Sequence, residues 1–239
     1  MSSRNPGATR YRDRMSRDRE ERRPPSAISA EEAATVWTVL TDGPPTTARE
    51  RLLVGMVASI TERGLAATTV ADVVRHARAS RRTFYEHFRD RDDCYLALYG
   101  VGMDRLVWLF GNSLTPQDDW YAEILEASKV YLSGLVAMPA LARAGIAEMT
   151  SLGPRALAER RAGLQRLADV LIRLHDEARE RHADVPSRPI PPEQALALMA
   201  GLHELVLVRV QEDRIEDVVA ELAPVSARMT YLLGVGGAE

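Results

Sequence analysis

The chain has 239 residues, of which 46% are hydrophobic, 27% are charged and 5% are aromatic. This length is enough for one or two domains with a buried core, and the balance is ordinary for a globular protein. The few aromatic residues and the long periodic segments favour an all-α fold. A single cysteine, Cys94, excludes a disulfide framework and a thiolate metal cluster, and fits a cytoplasmic setting.

Charge is distributed unevenly along the chain. Residues 1–92 contain 17 arginines and 13 acidic residues, whereas residues 93–239 contain 14 basic and 21 acidic residues. A basic N-terminal part and an acidic C-terminal part are typical of a protein that binds a polyanion with one end only. The arginine-rich N-terminus lacks the apolar core of a signal peptide, and the most apolar stretch, 195–208, is too short to span a membrane.

The first 46 residues divide into two regions. Residues 1–28 are predicted to be a disordered arm, because residues 1–25 contain eight arginines, four acidic residues and almost no apolar ones. The arm either adds affinity for a polyanion or is a solvated tail without a role. Residues 29–46 are predicted to form a short helix and a linker, with a capping box of Ser29 and Glu32. Such a helix is marginal alone, so we expect Trp37 to dock on the next domain or on a second subunit.

Residues 47–92 are predicted to form a domain of three short helices. Thr47 with Glu50 makes a capping box before an apolar stripe that ends near Gly64. Thr69 caps a second helix, and Ser80 caps a third after a turn of only three residues. This plan is a helix-turn-helix, whose last helix enters the major groove of DNA.

The orientation of the third helix follows from its buried aromatic residues. Phe84 and Phe88 mark the side that faces the core, given about 100° of rotation per residue. The other sides of the helix carry Arg81, Arg82, Thr83, Tyr85, Glu86 and His87. Arginine can bind guanine through two hydrogen bonds, and hydroxyl, tyrosine and histidine groups reach phosphates. A solvated charged face is the alternative interpretation of the two arginines.

Residues 47–96 resemble the TetR (tetracycline-repressor) family of bacterial regulators. The resemblance rests on Thr68-Thr69-Val70, on Tyr85-Glu86-His87-Phe88 and on Arg91-Asp92, which stands where the family usually has Lys-Glu. It implies that Thr69 binds a phosphate, that Arg81, Arg82 and Thr83 face bases, and that Tyr85, His87 and Arg91 hold the DNA backbone. The predicted DNA-binding set is Thr69, Ser80, Arg81, Arg82, Thr83, Tyr85, His87 and Arg91.

Two positions depart from the family pattern. Arg78 occupies the place of the usual turn glycine, so we expect this arginine to have a positive φ with some strain. Arg91 replaces the usual lysine, which keeps the charge but not the geometry.

Residues 93–239 are predicted to form a helical ligand-binding and dimerisation domain. The predicted helices lie near 92–110, 117–137, 140–150, 154–182, 192–211 and 216–233, with Pro224 either kinking the last one or preceding its start. The candidate pocket residues are Met103, Val107, Phe110, Tyr131, Met138, Met149 and His175, each of which could equally be plain core. The predicted dimer interface comprises Leu196, Met199, His203, Leu207, Val218, Leu222, Val225, Met229 and Leu232.

Together these features predict a one-component transcriptional regulator. The resemblance implies a homodimer on an inverted-repeat double-stranded DNA operator, acting as a repressor released by a largely apolar small-molecule effector. We expect no cofactor, no bound metal and no membrane association. A regulator of the same fold that is controlled by a protein partner remains an alternative. An enzyme is disfavoured because no catalytic constellation is recognisable in the sequence.

Overall fold

Every regular element in the described part of the chain is a helix. The computed structural model describes residues 43–235 together with Thr38, Leu40 and Thr41, and no strand occurs among them. The predicted all-α fold is therefore confirmed. The predicted arm, residues 1–28, and the predicted contacts of Trp37 lie outside the described residues.

The N-terminal domain begins with three short helices. They are α1 (Ala48–Arg63), α2 (Val70–Ala77) and α3 (Arg81–His87). Thr47, Thr69 and Ser80 precede them, and each of these side chains accepts a backbone hydrogen bond from the first turn. Glu50 and Asp72 complete reciprocal capping boxes with the two threonines, so both helix starts are determined locally.

The turn between α2 and α3 contains one left-handed residue. Arg78 has φ 49° and ψ 42°, which confirms the prediction of a positive φ at the place of the usual glycine. A residue with a Cβ atom pays a steric cost in this region, so the turn is strained at Arg78. Only three residues connect α2 to α3, so the chain has to reverse sharply at this position.

The remainder of the chain consists of longer helices. They are α4 (Arg91–Gly111), α5 (Trp120–Val136), α6 (Pro139–Arg143), α7 (Pro154–Arg181), α8 (Pro192–Gln211) and α9 (Val218–Gly234). In this part α7 packs along α8, and α5 packs along α9. Pro224 lies inside α9, which begins at Val218, so a helix start after the proline is wrong.

One predicted helix is replaced by three different turns. The sequence suggested a single helix over 140–150, but α6 ends at Arg143. A π-helical turn follows over Ala144–Glu148, and a 3-10 turn over Met149–Leu152. Periodicity could not reveal this change because each of the three segments is only four or five residues long, which is about one turn.

Two main hydrophobic clusters meet along α4. The first combines α1, α2 and α3 with the N-terminal half of α4 and with Ala144, Met149 and Ala156. The second joins the C-terminal half of α4 to α5, α7, α8 and α9. The predicted domain boundary at residues 92 and 93 falls in the first turn of α4, so the two regions share a continuous helix.

Leu40 is the described member of the predicted extra helix that reaches the core. It is helical and buried in the first cluster, beside α1 and α4. Within the described residues, no single helix has the length and apolarity to cross a membrane. Only α5 and the segment Pro139–Leu152, which are bent by 91° at their junction, meet those criteria as a pair.

Candidate DNA-recognition surface and ligand cavity

The two faces of α3 differ sharply in exposure. Phe84 is fully buried and Phe88 nearly so, and their rings pack 5.6 Å apart. Tyr85 is 56% exposed, and the Arg82 side chain is 90% exposed. Arg81 and His87 are exposed as well. The helix therefore presents the predicted polar groups outward, as the spacing of the two phenylalanines indicated.

Three predicted DNA-binding hydroxyls form hydrogen bonds at the N-termini of their own helices. The Ser80 hydroxyl accepts from the Thr83 amide at 2.9 Å and lies 2.9 Å from the Thr83 hydroxyl. The Thr69 hydroxyl donates to Asp72 at 2.6 Å while it caps α2. Thr69 and Ser80 nevertheless stay exposed at helix N-termini, where backbone N–H groups favour a phosphate.

Arg91 makes contacts within the protein that the sequence did not reveal. Its guanidinium is half-buried and pairs with Asp92, and Nη1 donates to the carbonyl oxygens of Leu65, Ala66 and Thr68 at 3.2–3.4 Å. These contacts position the loop that leads into α2. The predicted hold on the DNA backbone stays a prediction, because 26% of the Arg91 side chain remains exposed.

Sequence reasoning missed Arg49 as a neighbour of the recognition helix. Its guanidinium lies 5.3 Å from the centroid of the Phe88 ring, at the end of α3. Arg49 is exposed in the first turn of α1. It therefore adds positive charge beside α3, a proximity that local periodicity cannot reveal.

A cavity of about 120 Å³ lies between α4, α5, α6, the π-helical turn and α8. Of the seven predicted pocket residues, Met103 and Met138 line it. Phe110 and His175 line a separate cavity of about 30 Å³ near α9. The cavity therefore lies nearer the DNA-binding domain than the predicted set indicated.

Three predicted pocket residues line neither cavity. Val107 packs against the second cluster, and Met149 is buried in the first. Tyr131 is fully buried beneath the cavity wall, where its hydroxyl contacts His203. The sequence identified buried apolar positions but could not distinguish residues that line a cavity from residues that pack in a filled core.

The polar groups of the cavity were not predicted as pocket residues. Tyr95, Tyr99 and His203 all line it. The two tyrosines lie one turn apart on α4, and this spacing is the signal that could have identified them. His203 was instead assigned to a dimer interface, because an apolar helix such as α8 does not reveal which neighbour each side covers.

His203 and Tyr131 form a buried neutral pair. The Tyr131 hydroxyl lies 2.6 Å from Nε2 of His203. Burial lowers the pKa of His203 to about 4, and it raises the pKa of Tyr131 well above its usual range. Near neutral pH both groups are therefore uncharged, and the imidazole tautomer decides which of the two atoms donates.

Other reactive or metal-binding groups in the described residues are poorly placed for chemistry. The Cys94 thiol is fully buried, and burial raises its pKa, so it stays protonated. No cluster of three or more histidine, cysteine, aspartate or glutamate side chains within the described ranges is arranged to hold a metal ion.

The helix-turn-helix geometry agrees with a sequence match. Residues 52–98 match the family model described as bacterial regulatory proteins, tetR family. This segment of the chain is similar to the tetR family of bacterial regulatory proteins. The helix-turn-helix segment is thus similar to that of bacterial transcriptional regulators. No curated protein sequence matches the chain.

Solved structures of bacterial regulatory proteins are similar in fold to about four fifths of the chain. FadR from Bacillus subtilis, solved in complex with stearoyl-CoA, has a TM-score of 0.61 at 18% identity, covering 79% of this chain and 98% of that one. The fatty acid degradation regulator FadR from Bacillus halodurans has a TM-score of 0.63 at 18% identity, covering 82% and 99%. A tetR-family regulatory protein from Rhodococcus RHA1 has a TM-score of 0.58 at 19% identity, covering 81% and 100%. At these low identities, the structural likeness establishes the fold alone.

The cavity wall is continuous with a contact to the N-terminal domain. Met138, Ala142 and Ile146 line the cavity on α6 and the π-helical turn. Two residues further on, Oε2 of Glu148 accepts a hydrogen bond from the Ala66 amide at 2.9 Å. Because Arg91 holds the Ala66 carbonyl, both polar groups of this loop residue are bound from outside the helix-turn-helix.

The predicted dimer residues of α8 and α9 fall into two groups. Met199, His203, Val218 and Leu222 are buried within the single chain, so their assignment to an interface is corrected to the core. Leu196 and Leu207 are half-buried against the second cluster. Val225, Met229 and Leu232 are 38%, 45% and 53% exposed and form one apolar stripe on α9.

Proposed function

We propose that the protein is a homodimeric repressor that binds an inverted-repeat DNA operator through α3 and releases it when a small molecule fills the cavity. The observation that carries this proposal is the exposed polar face of α3 beside the buried Phe84 and Phe88. An arginine on such a helix can hydrogen-bond guanine in the major groove. Arg81, Arg82 and Thr83 are the candidate base contacts, and Tyr85 and His87 are the candidate phosphate contacts.

Selection of bound sequences from a random pool of duplex DNA tests this function directly. The full-length protein should enrich an inverted repeat, because a two-fold dimer presents two copies of α3 to the same duplex. Half-site centres are expected about one helical turn, roughly 34 Å, or a multiple of it apart. Enrichment of no sequence, or of a single unrepeated site, contradicts the proposal.

The exposed stripe of α9 supports dimerisation. Three large apolar side chains at helical spacing would be costly to leave in water, and α9 belongs to the part of the fold that we assign to assembly. Met229→Glu should place a charge in the interface and give monomers in sedimentation. Leu157→Glu is the matched control, since Leu157 is 46% exposed on α7. A variant at Met229 that remains as dimeric as the control argues against this interface.

The cavity supports control by a small molecule. It is mostly apolar, and FadR from Bacillus subtilis, which is similar in fold, was solved in complex with stearoyl-CoA. A molecule that fits one arrangement of α4 and α6 better than another shifts the protein toward that arrangement. The hydrogen bond from Ala66 to Glu148 connects this change to the loop before α2.

The coupling contact can be tested without knowing the effector. Glu148→Ala removes the only carboxylate that holds the Ala66 amide in the described part of the chain. Hydrogen exchange at that amide should become faster, and operator affinity should fall several-fold because the N-terminus of α2 is less well held. Glu180→Ala, on the exposed side of α7, is the control. Unchanged exchange at Ala66 contradicts the coupling.

A further inference from the structure

One hydroxyl in the cavity wall is buried without a partner. Tyr95 is 2% exposed, and its hydroxyl has no hydrogen bond to any described residue. The same side chain lines the cavity. Leaving a buried hydroxyl unpaired is unfavourable, so native proteins usually provide a partner from the protein, from water or from a ligand.

The space next to this hydroxyl is kept open by a glycine. A Cβ atom on Gly145 would lie 3.9 Å from the Tyr95 hydroxyl and 3.6 Å from the Tyr99 ring. Gly145 itself lines the cavity, as does Gly102, whose Cβ position has no atom within 4 Å. The unpaired hydroxyl therefore borders room for a ligand atom rather than packed side chains.

The other tyrosine of the cavity and its histidine carry no charge near neutral pH. Burial raises the pKa of Tyr99 to about 12 and lowers the pKa of His203 to about 4. Arg105 is the one charged residue among the described residues of the lining, and its guanidinium lies 4.6 Å from the centroid of the exposed Trp108 ring. Because the rest of the lining is mostly apolar, a ligand anion would lose most of its hydration there, and an uncharged acceptor is favoured.

We propose that the cavity binds an uncharged, mostly apolar molecule whose oxygen acceptor, such as a ketone or ester carbonyl, takes a hydrogen bond from the Tyr95 hydroxyl. This assignment rests on the proposed function, in which the cavity is the effector site. The enclosed part of the ligand is about the size of one aromatic ring, because the cavity measures about 120 Å³.

Three probes of similar size separate the chemistry of the ligand. Acetophenone has a ring and a neutral carbonyl, ethylbenzene has the ring without an acceptor, and benzoate has the ring with a negative charge. Calorimetric titration of the full-length protein should give the tightest binding for acetophenone. Benzoate should be the weakest of the three.

Tyr95→Phe tests the hydroxyl itself. This variant should lower the affinity for acetophenone about five- to tenfold, the effect of one hydrogen bond, and leave that for ethylbenzene unchanged. Tyr121→Phe is the matched control, because Tyr121 packs in a separate cluster beside Trp120. It should bind all three probes as the unmodified protein does.

The melting temperatures of the unliganded variants show whether a loss of affinity comes from misfolding. Tyr95→Phe loses no hydrogen bond, so the unliganded variant should melt at the same temperature as the unmodified protein or higher. Tyr131→Phe makes the same chemical change but breaks the 2.6 Å bond to His203, so it should melt lower.

Four results would overturn the assignment. They are equal affinity of Tyr95→Phe and the unmodified protein for acetophenone, binding of benzoate tighter than acetophenone, binding of ethylbenzene as tight as acetophenone, and no saturable binding of acetophenone up to its solubility. Failure of the proposed function is distinguishable, because it appears as loss of sequence-selective DNA binding while the order of the probes and the Tyr95 effect remain.

Discussion

The DNA-binding end and the ligand-binding end of the molecule satisfy their buried polar groups in different ways. In the DNA-binding end the hydroxyls of Ser59 and Thr68 donate to carbonyls four residues earlier, and Asp72 bonds Thr69. In the other end Tyr131 bonds His203, and the hydroxyls of Ser128 and Ser226 pair across 98 residues of chain. The first end is thus determined by neighbours in sequence and the second by distant partners.

Helix starts and unpaired atoms show the same contrast. All four helices from α1 to α4 begin with a side-chain cap, whereas α6, α7 and α8 begin at a proline without one. The buried polar atoms without a partner among the described residues include those of Tyr95, Trp120, Arg160 and His175. The helices of the recognition domain thus begin at local caps, whereas the rest of the molecule leaves more buried polar atoms without a hydrogen bond.

The largest effect on this contrast is expected at Glu123. This carboxylate is fully buried between Arg181, at 2.7 Å, and His182, at 2.9 Å. Glu123→Ala leaves a partly buried guanidinium unpaired and should lower the free energy of unfolding by about 3 kcal/mol. Denaturant unfolding measures this loss.

Glu126→Ala is the control for Glu123. It breaks an exposed pair with Lys129 in the same helix and should cost less than about 0.5 kcal/mol. Equal losses in the two variants would mean that distant buried pairs do not hold this end together.

Acid should weaken the ligand-binding end through His203. Its pKa is about 4 in the folded protein, because burial and the nearby Arg160 disfavour the charged ring, and about 6.5 when unfolded. The unfolded state therefore binds more protons between these values, and stability falls as pH decreases from 6.5 toward 4. Between pH 7 and pH 5 the expected loss is about 2 kcal/mol.

Unfolding titrations at the two pH values test this expectation. His203→Gln removes the titrating group and should flatten the dependence. Glu50 and Glu62, with pKa values of about 2, do not titrate in this range. An equally steep dependence in the variant would assign the effect to other groups, of which His175 is the first candidate because burial lowers its pKa too.

The smallest effect is expected in the turn of the recognition domain. Arg78→Gly relieves the left-handed strain and should stabilise the protein by about 0.5–1 kcal/mol, the steric gain being partly offset by glycine's flexibility when unfolded. Arg78→Ala keeps the Cβ atom and should give no gain. A stabilisation of equal size in both variants would attribute the effect to the arginine side chain instead of the backbone.

The same contrast explains how far prediction from sequence could go. The starts of α1, α2 and α3 and the positive φ of Arg78 depend on residues within four positions of each other, and these predictions are confirmed. The π-helical turn after Arg143 and the internal contacts of Arg91 depend on packing between segments distant in sequence. Periodicity does not record such packing.

The candidate sites also divide into features set by nearby residues and features set by packing between distant segments. The outward face of α3 was predictable because Phe84 and Phe88 mark its buried side. The cavity was not, because Met103 lines it while Val107, one turn later on the same helix, packs against the core. Whether such a position faces a void depends on the volumes of residues contributed by several helices.

The central claim is that α3 reads DNA, and the affinity of Arg81→Ala for the enriched operator tests it most directly. The variant should lose about 1–3 kcal/mol of specific binding, while Arg161→Ala, which removes an exposed arginine from α7, should bind as the unmodified protein does. Operator affinity that is the same in Arg81→Ala, Arg161→Ala and the unmodified protein would contradict the assignment of Arg81 as a base contact on the recognition helix.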